Sequence, residues 1–171
     1  MAQTTFSGPV LSQNGAGFLG SIVPGLTGLT ASTVATATTL TYAVNTITVN
    51  NYTGAAAQTV TLPAAIAGSV VVHAQSVDTT GGTAKLIFDC AGTDVLATGS
   101  VFESRTSLAV TFDTSTAGET RLEYTPANAG TNLFSIGSYI YFSCVQNGTW
   151  QVSADLNSLG AGTTGAFAFA A

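Results

Sequence analysis

A chain of 171 residues with only 6% charged residues and a formal net charge of −5 is long enough to bury a core, but has little with which to neutralise phosphates. Its three cations, Lys85, Arg105 and Arg121, are too few and too scattered for a basic patch, so no nucleic acid partner is expected. Mean hydropathy is +0.42, yet no apolar run approaches the roughly 18 residues that a membrane helix needs, so no membrane partner is expected either.

Residues 1–36 differ in material from the rest. MAQTTFSG has no basic start followed by an apolar core, so no secretory signal is expected. Six glycines from Gly8 to Gly28, with Pro9 and Pro24, interrupt every regular element. Phe6, Val10, Leu11, Phe18, Leu19, Ile22 and Val23 nevertheless supply apolar anchors that a disordered linker lacks. The segment reads as an extended Gly-rich N-terminal arm that lays those side chains into a neighbour; the other reading is a loop folded back on its own domain.

The body, residues 37–157, alternates in strand fashion. Leu40, Tyr42 and Val44 share one phase and Ile47 and Val49 the other, so a bulge or short turn is expected at Asn45-Thr46. Gln58–Leu62 is a short strand that stops at Pro63 or sits on an edge, and Ala64–Gly68 a compact corner, one helical turn closed by Gly68. Ser69–Ser76 is a strand, and Ala84–Cys90 is expected to pair back onto it across the Thr79–Thr83 turn. Val95-Leu96, the stretch around Leu108 to Phe112, and Arg121–Tyr124 follow as short strands.

Ser138–Asp155 is the strongest signal. Tyr139, Tyr141, Ser143 and Val145 alternate with Ile140, Phe142, Cys144 and Gln146. Asn147-Gly148 then supplies the positive φ of a tight hairpin, and Trp150, Val152 and Ala154 continue on one face. Residues 158–171 read as a flexible tail whose AFAFAA end either frays or adds a strand to a neighbour's sheet. The whole predicts an all-β domain, a single β-sandwich or barrel (jelly-roll-like) of about eight short strands.

No catalytic motif emerges. His73, the single histidine, lies in a strand and reads as a surface or interface residue, not a general base. One His with two separated cysteines cannot fill a zinc site, so no metal, cofactor or enzymatic activity is expected. Glu103, Asp113, Glu119 and Glu123 show no spacing that pairs them for glycoside hydrolysis. Cys90 and Cys144 read as free buried thiols. A chain so neutral, where an ordinary soluble domain carries about 25% charged residues, reads as a subunit whose surface is largely covered by partners; the other reading is a neutral β protein with a small-residue surface.

Four short elements carry a resemblance: TVTLPAA (Thr59–Ala65) followed by Gly68, KLIF (Lys85–Phe88), GTDVL (Gly92–Leu96) with Gly99, and NGTWQV (Asn147–Val152). In this order, and with the opening TFSGPVLSQNGAGF, the chain resembles virion structural proteins of tailed bacteriophages of the marine and cyanophage type. That family includes capsid decoration proteins, head fibres and tail-fibre segments, commonly trimeric. The resemblance implies a non-enzymatic capsid decoration (cement) protein, made in the host cytoplasm and placed on the capsid surface of the virion. Its partners would be the major capsid protein and its own copies in a homotrimer. The alternative it implies is a receptor-binding head-fibre or tail-fibre tip, presenting loops Asp113–Glu119 and Pro126–Asn132.

Overall fold

The computed structural model describes residues 28–31, 38–79, 82–105, 110–126, 134–157 and 166–171. They contain thirteen strands and no helix: β1 (Gly28–Ala31), β2 (Thr38–Thr41), β3 (Thr46–Asn50), β4 (Gln58–Thr61), β5 (Val70–Gln75), β6 (Leu86–Asp89), β7 (Val95–Leu96), β8 (Val101–Arg105), β9 (Val110–Thr114), β10 (Arg121–Thr125), β11 (Tyr139–Gln146), β12 (Thr149–Asp155) and β13 (Ala166–Ala170). A six-stranded sheet runs β1-β3-β5-β11-β12-β7, and a five-stranded sheet runs β13-β10-β6-β4-β2. β8 and β9 pair as a separate antiparallel ribbon.

The first half of the chain winds between the two layers. Odd strands β1, β3 and β5 enter the six-stranded sheet and pair in parallel. Even strands β2, β4 and β6 enter the five-stranded sheet, also in parallel. The result is a two-layer parallel coil. The second half completes both layers with antiparallel strands: β11 on β5 with β12 beside it, and β10 on β6 with β13 beside it. The change of hydrophobic phase at Asn45-Thr46 is a crossing between layers. Asn45 takes φ 57°, a conformation asparagine tolerates, and its side-chain Oδ1 accepts from the Val70 N–H at 3.1 Å.

The all-β sandwich expected from the sequence is the fold observed. Its sheets are mixed, and they do not close into a barrel: β1, β7, β2 and β13 end the two sheets. Several local expectations are corrected. Ala84–Cys90 does not pair back onto Ser69–Ser76, because β5 and β6 lie in opposite layers. β4 is interior, between β6 and β2, so Pro63 ends the strand without marking an edge. Ala64–Gly68 is a turn, with the Ser69 N–H bonded to the Ile66 carbonyl at 2.9 Å and Gly68 at φ 89°. At the hairpin only Gly148 is left-handed (φ 82°), and β11 absorbs the mismatch as a register shift between Ser143 and Gln146. The terminal AFAFA neither frays nor reaches for a neighbour: β13 joins β10 of its own chain, because Phe167 is drawn into the core. The arm anchors Phe6, Val10, Leu11, Phe18, Leu19, Ile22 and Val23 lie outside the described residues.

The core between the sheets is aromatic. Tyr124 packs on Phe167 at 4.6 Å between ring centroids and on Phe134 at 5.3 Å, and Phe88 packs on Phe142 at 5.3 Å. Leu62, Leu86, Leu96, Leu122 and Trp150 fill the remainder, all buried. Each large apolar side chain withdrawn from water contributes roughly 1.5–3 kcal/mol, so the inward phase of every strand is strongly specified.

Candidate functional site

Three of the four short stretches singled out in the sequence meet at one corner. The Asp94 carboxylate accepts the Ala65 N–H at 2.7 Å, and Asn147 Oδ1 accepts the Ala67 N–H at 2.8 Å. The Gly148 N–H donates to the Ala65 carbonyl, and the Val95 N–H to the Gly148 carbonyl. Short β7 then runs parallel to the start of β12, with Leu96 opposite Trp150. TLPAA, GTDVL and NGTWQV are therefore one structural unit, in which the Asp94 and Asn147 side chains satisfy the amides of a turn that has no strand partner of its own.

His73 is fully buried on the inner face of β5, so its expected surface or interface position is corrected. Its ring lies 5.0 Å from Phe88 and 5.3 Å from Phe134 between centroids. Its polar atoms sit in a directed chain. Asn50 Nδ2 can only donate, and it reaches the Tyr42 hydroxyl at 3.2 Å. That hydroxyl in turn donates to His73 Nδ1 at 2.8 Å, which leaves Nε2–H to donate to Gln75 Oε1 at 3.3 Å. The Gln75 amide finishes on the carbonyls of Tyr52 and Val77. Burial lowers the His73 pKa to about 4, against a smaller opposite effect of its Gln75 bond. With both ring nitrogens committed and no solvent contact, His73 is a structural tie between the layers.

The outer faces of the two sheets are built from different residues. On the five-stranded sheet, Thr39, Thr41, Thr59 and Thr61 face outward beside Ile87 and two ion pairs. Lys85 Nζ meets Glu123 at 2.6 Å, and Arg121 Nε meets Asp89 at 3.0 Å. On the six-stranded sheet the register aligns Ile47, Val72 and Tyr141 in one row, and Val49, Ala74 and Tyr139 in the next. Tyr139 and Tyr141 are each 37% exposed, with ring centroids 6.2 Å apart and an interplanar angle of 21°. Val72 and Ala74, between the tyrosines and β3 in the register, face away from the inter-sheet core yet are buried, at 4% and 7%, outside the main core cluster. β12 borders the tyrosines with exposed Ser153 and Asp155. Burial, then Asp155 and Tyr139, raise the Tyr141 hydroxyl pKa.

This face was not singled out by the sequence. Its signal was nonetheless present in VVVHA, a strand apolar in both phases up to His73, and in two tyrosines that share a phase on Tyr139–Gln146.

The other candidates have structural partners. Glu119 accepts the Thr116 N–H. Glu123 is held by Lys85. Cys90 and Cys144 are free and buried; burial, then Asp94 and Asp89, push the Cys90 thiol up to about 12. Among the described residues no group of three or more His, Cys, Asp or Glu side chains is placed to hold a metal ion. The side chains of Glu103 and Asp113 and residues 127–132 of the second loop lie outside the described residues. Comparison with known protein families, with curated proteins and with solved structures finds no match for this chain.

Proposed function

We propose that this chain is a non-enzymatic structural protein of a bacteriophage particle, a capsid decoration (cement) protein that acts as a homotrimer with the major capsid protein as its partner. The observation that carries this reading is the outer face of the six-stranded sheet, whose β3, β5 and β11 rows are apolar and uncharged on a molecule with few charges anywhere. A soluble chain keeps such a surface when something covers it in its working state. The first 27 residues supply the second half of the reading: they contain no charged residue and carry Phe6, Val10, Leu11, Phe18, Leu19, Ile22 and Val23 as anchors for a capsid subunit. Several anchors per copy, multiplied over a trimer, give avidity without any single strong contact.

The test is co-sedimentation with undecorated capsids. A chain lacking residues 2–27 keeps β1 and is expected to unfold at the same denaturant midpoint as the full chain while losing capsid binding. Undiminished binding by the truncated chain overturns the arm's role. Adhesion of the full chain to host cells, with no binding to heads, moves the function to a receptor-binding tip.

A further inference from the structure

We propose that the corner built from Ala65, Ala67, Asp94 and Gly148 is a chemical guard: it holds Asn147-Gly148 in an arrangement that cannot cyclise, and so suppresses deamidation at the one Asn-Gly pair among the described residues. The guard is independent of the decoration reading. An asparagine followed by glycine is especially open to this loss, because glycine has no Cβ to obstruct attack by its own nitrogen. In the reaction the Gly148 nitrogen gives up its proton and attacks Asn147 Cγ. The new N–C bond closes a five-membered imide, the Cγ–Nδ2 bond breaks, and ammonia leaves with the proton. Water then opens the imide at either carbonyl, leaving an aspartate or an isoaspartate at position 147.

Both reacting groups are engaged by the fold. The Gly148 N–H, which must be lost, donates to the Ala65 carbonyl at 2.8 Å. The Asn147 carboxamide, which must swing over that nitrogen, is held through Oδ1 on the Ala67 N–H at 2.8 Å. Ala65 and Ala67 belong to one turn, and that turn is itself fixed, because the Asp94 carboxylate accepts the Ala65 N–H at 2.7 Å. The Val95 N–H holds the Gly148 carbonyl at 3.0 Å, so the glycine is pinned on both sides. Asn147 is exposed, so water reaches it and exclusion of solvent is not what protects it. The position is one where the lesion would do damage. An isoaspartate adds a backbone atom inside the turn that sets Gln146 opposite Thr149, and either product puts a second carboxylate near the turn that already holds Asp94.

The experiment ages the full-length chain in warm, mildly alkaline buffer, folded and in concentrated urea, and follows position 147 by peptide mapping with mass spectrometry. The folded chain is expected to deamidate there about tenfold or more slowly than the same chain in urea, because two hydrogen bonds must open before the ring can close. Asp94→Ala frees the Ala65 amide and loosens the turn. It is expected to raise the folded rate about threefold or more and to leave the rate in urea unchanged. Asp89→Ala, which removes a carboxylate from the other sheet, is expected to leave both rates unchanged. Should Asp94→Ala fail to fold, Asp94→Asn keeps an acceptor oxygen without the charge and is expected to raise the folded rate in the same direction, by about twofold. Equal rates in the folded and the urea-unfolded chain overturn the proposal. A slow folded rate that neither Asp94 variant moves also overturns it, because the rigidity of any hairpin turn would then account for the protection. A folded rate that falls in these variants would make Asp94 a promoter of the cyclisation and overturns it as well.

Discussion

The two outer faces of this sandwich are made by the same chain with the same strand geometry, yet they follow opposite rules. The five-stranded sheet presents threonines and cross-strand ion pairs to water. The six-stranded sheet turns Thr46, Thr48, Asn50, His73 and Gln75 inward and sends Ile47, Val49, Val72 and Ala74 outward. Polarity alone therefore does not decide which phase of a strand is buried. The polar phase of β3 and β5 can face the core because its hydrogen bonds close internally, from Asn50 through Tyr42 and His73 to Gln75. The apolar phase of the two strands is then left on the outer side of the sheet.

The sharpest way to break this comparison is to place one charge on each face. Val72→Asp puts a carboxylate without a partner at a buried position of the apolar face and is expected to cost about 3–5 kcal/mol. Thr39→Asp on the exposed edge of the other sheet is expected to fall within about 0.5 kcal/mol of the parent. Denaturant midpoints of the two variants measure the difference, and equal effects would show that the faces are equivalent.

A second test separates the polar interior from the apolar exterior by pH. His73 binds its proton less readily folded than unfolded, so the unfolded chain gains protons first as pH falls. Stability is full above the ordinary histidine pKa of about 6.5 and declines as the pH drops toward about 4, by about 3 kcal/mol in all. Urea unfolding at stepped pH reads this slope, and His73→Gln is expected to flatten it. The smallest effect belongs to the polar outer face. Lys85→Met removes an ion pair between a half-exposed lysine and the more covered Glu123 and is expected to change stability by about 1 kcal/mol or less, as measured by the same midpoints.

Much of the fold was legible because alternation is a local property. Leu86, Phe88, Leu122, Tyr124, Ile140, Phe142, Trp150 and Val152 all fall in the inward phase that their neighbours predict. Strand pairing was less legible. A short Gly-rich turn after β5 suggests a hairpin, but the chain crosses to the other layer there, and β6 finds β4 and β10 instead. Nothing in a window around Thr79–Thr83 encodes that choice; it is set by partners distant in sequence. The candidate face was hidden for a related reason. Tyr139 and Tyr141 were assigned to one phase, but whether that phase is inside depends on Ile140 and Phe142 meeting Phe88 and the rest of the aromatic core. The corner formed by Asp94, Ala65 and Gly148 was visible only as separate short stretches, because the bonds that unite them are long-range.

The parallel coil carries a consequence for the birth of the molecule. β5 is stitched to β11 and β6 to β10, so the last wound strand of each layer waits for a seam that the ribosome delivers much later. Until then the early windings have only one another as lateral neighbours and lack the aromatic filling that Phe134 and Phe142 bring. Assembly of the layers is thereby deferred to the end of synthesis, when the compact β11–β12 hairpin arrives as the template against which the waiting strands can align.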